Sequence, residues 1–157
     1  MRKRVITEAR QANTMDTGDW LNLDELAEVE ITSEEVDHPI ESALLPGEGG
    51  GWRAATPGEQ TIRLLLTPPQ LLRRILLVFV ETSAQRTQEY VLRWSADKGQ
   101  SFKDIVRQQW NFNPDNSTSE TEEHLVDLSG VTMLELIIRP DIGNKHAVAS
   151  LAKLRVA

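Results

Sequence analysis

The stretch Trp94–Phe112, read as WSADKGQSFKDIVRQQWNF, holds four of the chain's eight aromatic residues. Its turn signal, Asp97-Lys98-Gly99, is typical of a hairpin in which Gly99 takes a positive φ. The preceding residues, Gln88–Trp94, alternate apolar and polar side chains, and the following residues, Lys103–Phe112, divide into an apolar-rich and a polar face. Such a pattern indicates half-buried strands. The stretch therefore predicts two antiparallel strands joined by a turn.

Strand signals also dominate the rest of the chain, with turn residues between them. Pro68-Pro69 is predicted to end one strand because proline cannot donate to a ladder. The apolar run Ile75–Val80 predicts a central strand covered on both faces. Only Asp19–Leu26 suggests a helical turn, with Asp19 as its cap. The six further predicted strands are 27–32, 61–67, 72–81, 123–128, 133–139 and 148–156. We therefore predict an all-β fold, an antiparallel sandwich or eight-stranded jelly roll.

Length and composition narrow the possible classes of protein. The 157 residues suit one domain, for which we predict a flexible tail at 1–18 and a single folded unit at 19–157. The net charge of −7 argues against nucleic acid as a partner, since a duplex-binding protein needs a basic face. No apolar run approaches the ~20 residues of a membrane span, and no secretory signal is recognisable at the start. The absence of cysteine favours a reducing compartment, so we predict a cytoplasmic protein.

The order of these segments resembles the discoidin-like, or F5/8 type C, domains of the galactose-binding-like β-sandwiches. Val29–Ser33 followed by Asp37–Leu44 and then Gly51–Ala54 resembles the first part of those domains. Ser95–Phe102 is similar to their characteristic strand–turn motif, with one extra residue before the glycine, and Ala149–Val156 is similar to their ending. The resemblance implies a β-sandwich binding module for residues 27–157.

Many members of that family hold a structural calcium ion in the loop before the early tryptophan, which is Trp52 here. This loop offers only Glu48, and Lys153 stands where the resemblance implies a glutamate. Calcium needs several hard oxygen ligands, and an ammonium group in their place repels it. We therefore predict no calcium, no other metal and no cofactor.

The strand after the turn supplies the candidate binding residues. Val106, Gln108, Trp110 and Phe112 fall on one face, and the opposite face is polar. The aromatics are then either core, with a merely hydrated polar face, or a platform on which a sugar ring stacks beside planar polar side chains. We expect Trp110 and Phe112 to lie inside and the polar face to present the recognition surface. The candidate ligand-binding residues are Arg107, Gln109, Trp110, Asn111, Asn113 and, from the loop Thr82–Thr87, Arg86.

Catalytic signals are weak. The histidines His38, His124 and His146 lie far apart and have no metal-binding spacing. The acidic run that includes Glu120 and Glu122 is interpreted as a solvated surface feature. We therefore predict a non-catalytic module that binds glycans. The alternative is a protein-interaction or assembly domain of an intracellular, bacterial-type protein. The sequence does not predict an oligomeric state.

Overall fold

A computed structural model of the protein describes residues 19–47 and 49–157. Within these residues, two short helices, α1 (Leu23–Leu26) and α2 (Glu41–Leu44), accompany antiparallel strands. The strands are β1 (Ala27–Ile31), β2 (Trp52–Arg53), β3 (Gln60–Val80), β4 (Arg86–Ser95), β5 (Lys103–Phe112), β6 (Ser119–Arg139), β7 (Ser150–Leu151) and β8 (Lys153–Val156). The prediction of an all-β antiparallel sandwich is confirmed. No helix among the described residues is long and apolar enough to cross a membrane.

Two of these strands are long and irregular, and the prediction divided each of them into two. β3 and β6 each contain 21 residues and pair along most of their length. The register shifts between Leu65 and Arg74 of β3, and the pairing resumes at Gln70, directly after Pro68-Pro69. The prediction that these prolines end the strand was wrong, because they occupy an irregularity where no ladder N–H is required.

The two halves of β3 and β6 have different neighbours. β1 pairs with residues 62–66 of β3, and β4 pairs with residues 133–139 of β6, so these segments form a wide layer with β5 at one edge. β8 pairs with residues 75–78 of β3, which also pair with residues 121–124 of β6. These segments form a narrower layer.

The core lies between the layers. Phe79 of β3 packs against Tyr90 of β4 with ring centroids 5.3 Å apart, and both side chains are fully buried. Trp52 is also buried, and its Nε1 donates a hydrogen bond to the Ser33 carbonyl at 3.0 Å. Trp52 therefore fills part of the space inside the sandwich. Ile75, Leu76 and Leu77 are all buried, as expected for a central strand.

The described chain begins with a segment attached to the last strand. The Leu21 amide donates to the Val156 carbonyl at 2.8 Å, and the Arg74 guanidinium lies 4.1 Å from the ring centroid of Trp20. α1 forms as predicted, but its cap is Asn22 rather than Asp19, because the Asn22 side chain accepts the Asp24 amide. The predicted tail, residues 1–18, lies outside the described residues.

Candidate functional site

The turn between β4 and β5 determines which side chains of β5 face the core. Gly99 has a φ of 88°, as predicted, and Lys98 has a φ of 60°. Asp97 accepts hydrogen bonds from the side chains of Ser95 and Ser101, both at 2.6 Å. These bonds, that of Ser101 above all, lower the pKa of Asp97 to about 2. A carboxylate held in this way keeps the turn closed and fixes the register of the hairpin.

The polar face of β5 lies on the outer side of the wide layer, as predicted. Arg107 donates to Glu89 Oε1 at 3.0 Å, and Gln109 donates to Glu89 Oε2 at 3.2 Å. Further along, the Thr87 hydroxyl donates to Asn111 Oδ1 at 2.8 Å. These three candidate residues therefore share one surface, and each already has a partner on β4.

Ion pairs continue across this outer face. Glu89 also lies 3.8 Å from Arg139, which lies 3.6 Å from Glu59. Beside this row, the buried Glu135 carboxylate accepts from Arg63 at 2.7 Å and from Arg93 Nε at 2.8 Å. Charges of alternating sign thus cross the sheet in two rows, and the carboxylates between arginines are fully paired.

A shallow depression of about 290 Å³ lies on this outer face. Val91 and Ile137 are its apolar lining residues. The other lining residues are three arginines and three carboxylates, namely Arg93, Arg107, Arg139, Glu59, Glu89 and Asp104. The depression offers an apolar floor, hydrogen-bond donors and acceptors around it, and balanced charge.

The inner face of β5 carries the aromatic candidates. Phe112 is fully buried, whereas Trp110 is half-buried and packs against the core. The expectation that both lie inside is met, and Trp110 therefore faces away from Arg107 and Asn111. The alternative, in which an aromatic platform and planar polar side chains share one surface, does not occur at these residues.

Two further candidates have structural partners of their own. Arg86 is the first residue of β4 rather than a loop residue, and it is 4% exposed. It donates to Glu81 and to the Pro140 carbonyl, both at 2.8 Å, and its guanidinium lies over the Phe112 ring. Asn113 accepts the Asp115 amide within the turn that follows β5. Arg86 therefore lies on the inner face and not on the outer surface with Arg107.

The acidic run was interpreted wrongly, because Glu120 is 1% exposed and faces the core. Glu120 Oε1 lies 3.5 Å from the Gln88 amide nitrogen. Four residues further along β6, His124 Nε2 lies 2.8 Å from the Tyr90 hydroxyl. Burial, and secondly the neighbouring Glu122, raise the pKa of Glu120 to about 7. The period of two in Glu120, Glu122 and His124 is a signal that these side chains share one face of β6, but it does not show that this face is the inner one.

The described residues show no cluster of three or more histidine and acidic side chains that could hold a metal ion. The positive charge at the loop after α2 is an arginine side chain. Arg155 of β8 donates to the carbonyls of Ala43 at 2.8 Å and Leu45 at 3.2 Å. A guanidinium at these carbonyls does not fit the calcium that the resemblance implies. Glu48, on which the prediction also relied, lies outside the described residues.

Comparisons with known proteins identify the fold. The family 32 carbohydrate-binding module of Clostridium perfringens NanJ, solved with galactose, is 16% identical, with a TM-score of 0.60 over 83% of this chain and 92% of that chain. A second Clostridium perfringens protein, solved with GalNAc-β-1,3-galactose, is 21% identical, with a TM-score of 0.60 over 83% of this chain and 94% of that chain. A putative α-L-fucosidase from Bacteroides thetaiotaomicron is 14% identical, with a TM-score of 0.68 over 94% of this chain but 30% of that chain.

These similarities show the fold. Family 32 carbohydrate-binding modules are discoidin-like, galactose-binding-like domains, so the fold named from the sequence motifs is confirmed. No protein-family model matches the chain, and no curated protein sequence matches it significantly.

Proposed function

We propose that this protein is a non-catalytic module that binds a neutral sugar in the depression on the outer face of the wide layer. The observation that carries the proposal is the shared fold with modules whose structures contain galactose and GalNAc-β-1,3-galactose. Because a fold hosts many functions, the chemistry of the site must supply the rest of the argument.

The depression supplies that chemistry. Its volume of about 290 Å³ lies near the lower end of the ~300–1,000 Å³ typical of small-molecule sites, which suits a single sugar residue. Val91 and Ile137 provide aliphatic surface for the apolar face of a pyranose. Arg107 and Glu89 provide a donor and an acceptor for its hydroxyl groups.

The polarity of the depression favours an uncharged ligand. Its three arginines and three carboxylates balance, so a uronic acid gains no net attraction there. Gln109 and Asn111, next to Arg107 on the same surface, extend the row of hydrogen-bonding groups for a second sugar residue. The alternative of a protein-interaction domain is not favoured, because the similar modules were solved with sugars. Cytoplasmic localisation stays a prediction based on the absence of cysteine.

A glycan array tests the proposal, followed by calorimetry on the best-bound glycan. We expect neutral galactose-type sugars to bind and Arg107→Ala and Asn111→Ala to weaken that binding. Leu125→Ala is the matched surface control, since Leu125 is 77% exposed on β6, away from the depression. If the array retains no glycan, or both β5 variants bind like the wild type, the outer face is not the sugar site.

A further inference from the structure

The inner face of the β4–β5 hairpin contains buried polar atoms that lack hydrogen-bond partners. Arg86 Nη2, Trp110 Nε1 and Glu120 Oε2 are buried and have no partner within the described part of the chain. Buried polar groups are nearly always hydrogen-bonded, since each unsatisfied group costs ~1–3 kcal/mol. Glu120 also shares a side-chain hydrogen bond with Glu122 when one of the two carboxyls is protonated. The two donors, Arg86 Nη2 and Trp110 Nε1, therefore indicate a missing group most directly, and the Glu120 carboxyl lies beside them.

All three residues surround the Gln88 side chain, which is itself fully buried. Arg86 Nη1 donates to Gln88 Oε1 at 3.0 Å, and Gln88 Nε2 lies 3.5 Å from Glu120 Oε1. Trp110 is the cross-strand partner of Gln88 in the β4–β5 ladder, so the two side chains are neighbours on the inner face. We call this cluster of Arg86, Gln88, Trp110 and Glu120 the inner pocket.

The strand order leaves one side of the inner pocket without a covering strand. Contacts from Gln88 to Glu120 and from Tyr90 to His124 place β4 opposite the first half of β6. That half of β6 pairs with β3 on one side, and no described strand pairs with its other side. This side of β6 is therefore an edge of the narrow layer. Four side chains of β5 and β6 are half-buried rather than buried, namely Gln108, Trp110, Glu122 and His124. We call the edge that they border the opening of the inner pocket.

The unpartnered atoms match the hydrogen-bonding capacity of a hydroxyl group. A hydroxyl oxygen can accept two hydrogen bonds and donate one. Arg86 Nη2 and Trp110 Nε1 are donors, and Glu120 Oε2 is an acceptor when the carboxyl is ionised. A buried water offers the same functions, so the experiment must distinguish a ligand from water.

We propose that the inner pocket binds a hydroxyl group of a sugar, with Arg86 and Trp110 donating hydrogen bonds to its oxygen and Glu120 accepting a hydrogen bond from it. The inference rests on the proposed function for the class of ligand, but it concerns a second site on the opposite side of β4 and β5. The half-buried Trp110 ring borders the sugar at the opening, where an aromatic face packs well against pyranose carbons.

The test follows the indole N–H signals of the ¹⁵N-labelled full chain during separate titrations with galactose and glycerol. Trp110→Phe assigns the Trp110 signal by removing it. We expect that signal to move saturably with galactose, while that of Trp52, whose Nε1 already has a partner, stays in place. A Trp110 signal that moves with neither compound means that the pocket holds only water, and this overturns the inference.

Affinity measurements then separate the two sites. Trp110→Phe and Glu120→Gln are expected to weaken galactose binding about two- to tenfold each, the usual effect of one lost hydrogen bond. Trp94→Phe, a matched change at another half-buried tryptophan, should leave the affinity unchanged. If both inner variants bind like the wild type while Arg107→Ala loses binding, the inner pocket is excluded and the proposed function stands. If Arg107→Ala binds normally while the inner variants lose affinity, the outer depression is excluded and the inner pocket stands.

Discussion

Buried carboxylates lie next to arginines on both the outer and the inner side of the β4–β5 hairpin, but they differ in whether their hydrogen-bond partners are present. On the outer face, Glu135 is buried between Arg63 and Arg93, and both of its oxygens accept hydrogen bonds. On the inner face, the equally buried Glu120 faces Glu122, and one of its oxygens has no partner among the described residues. The difference shows that burial alone does not make a carboxylate a candidate binding group, since Glu135 has its hydrogen-bond partners in place and Glu120 does not.

The largest expected loss of stability comes from the two aromatic residues on the inner face of β5. Phe112→Ala should lower the free energy of unfolding by ~3–5 kcal/mol, because it empties a fully buried site and removes the ring beneath Arg86. Trp110→Ala should cost clearly less, since Trp110 is half-buried at the open side of the core. Urea unfolding of both variants measures the two losses. Equal losses would show that Trp110 is core and that the inner pocket is closed.

A smaller change in the free energy of unfolding is expected for the two buried glutamates. The two substitutions differ in sign. Glu135→Gln should lower the free energy of unfolding by ~1–3 kcal/mol, because it removes the charge that pairs with two arginines. That loss is moderate because both arginine side chains are partly exposed and can rehydrate. Glu120→Gln should be neutral or stabilising near pH 7, since it removes a charge that burial disfavours. Destabilisation by Glu120→Gln equal to that of Glu135→Gln would contradict the comparison.

Sequence patterns predicted the hairpin well because its determinants are local. The turn at Asp97-Lys98-Gly99 and the period-two pattern fixed the bounds of β5 and the orientation of its side chains. The same reasoning divided β3 at Pro68-Pro69, because a local stop signal does not reveal that the neighbouring strand follows the same irregular path.

The burial of Arg86 and Glu120 could not be predicted in the same way. It depends on which strand of the narrow layer lies opposite β4, and a pairing between residues 32 apart leaves no local pattern. A run of carboxylates on a strand is consistent with a wet surface until its facing layer is known. The polar row of β5 was therefore recognised from the sequence, whereas the inner pocket was not.

The stability of the fold should depend on pH through the buried Glu120 carboxyl. The pKa of Glu120 is raised from 4.5 to about 7, so between these values the folded chain holds a proton that the unfolded chain has released. This stabilisation is complete below about pH 4.5 and is lost as the pH rises through about 7. We expect the wild type to lose on the order of 1 kcal/mol relative to Glu120→Gln as the pH rises from about 5 to about 8.

The comparison with Glu120→Gln is needed because other groups surround this carboxyl. Glu122 and His124 of β6, Tyr90 and Arg86 of β4, and Glu81 from the preceding loop all face the same region. Burial lowers the pKa of His124, so its contribution rises with pH and opposes that of Glu120. Subtracting the two pH profiles isolates Glu120. Parallel profiles would mean that its carboxyl is solvated.

Calcium is expected to leave the melting temperature unchanged, because the carbonyls of the loop after α2 already have a hydrogen-bond donor. The Ala43 and Leu45 carbonyls accept hydrogen bonds from Arg155, whose guanidinium stays charged in proteins. A calcium ion at these carbonyls would meet a resident cation, so neither calcium nor a chelator should shift the melting temperature. Arg155→Ala is the matched variant: it should melt lower, because both carbonyls lose their donor. If calcium restores that variant while leaving the wild type unchanged, the guanidinium occupies the position of the cation. A calcium-dependent rise in the wild type would instead show that the loop binds the ion despite Arg155, and that partnered groups can still attract a ligand.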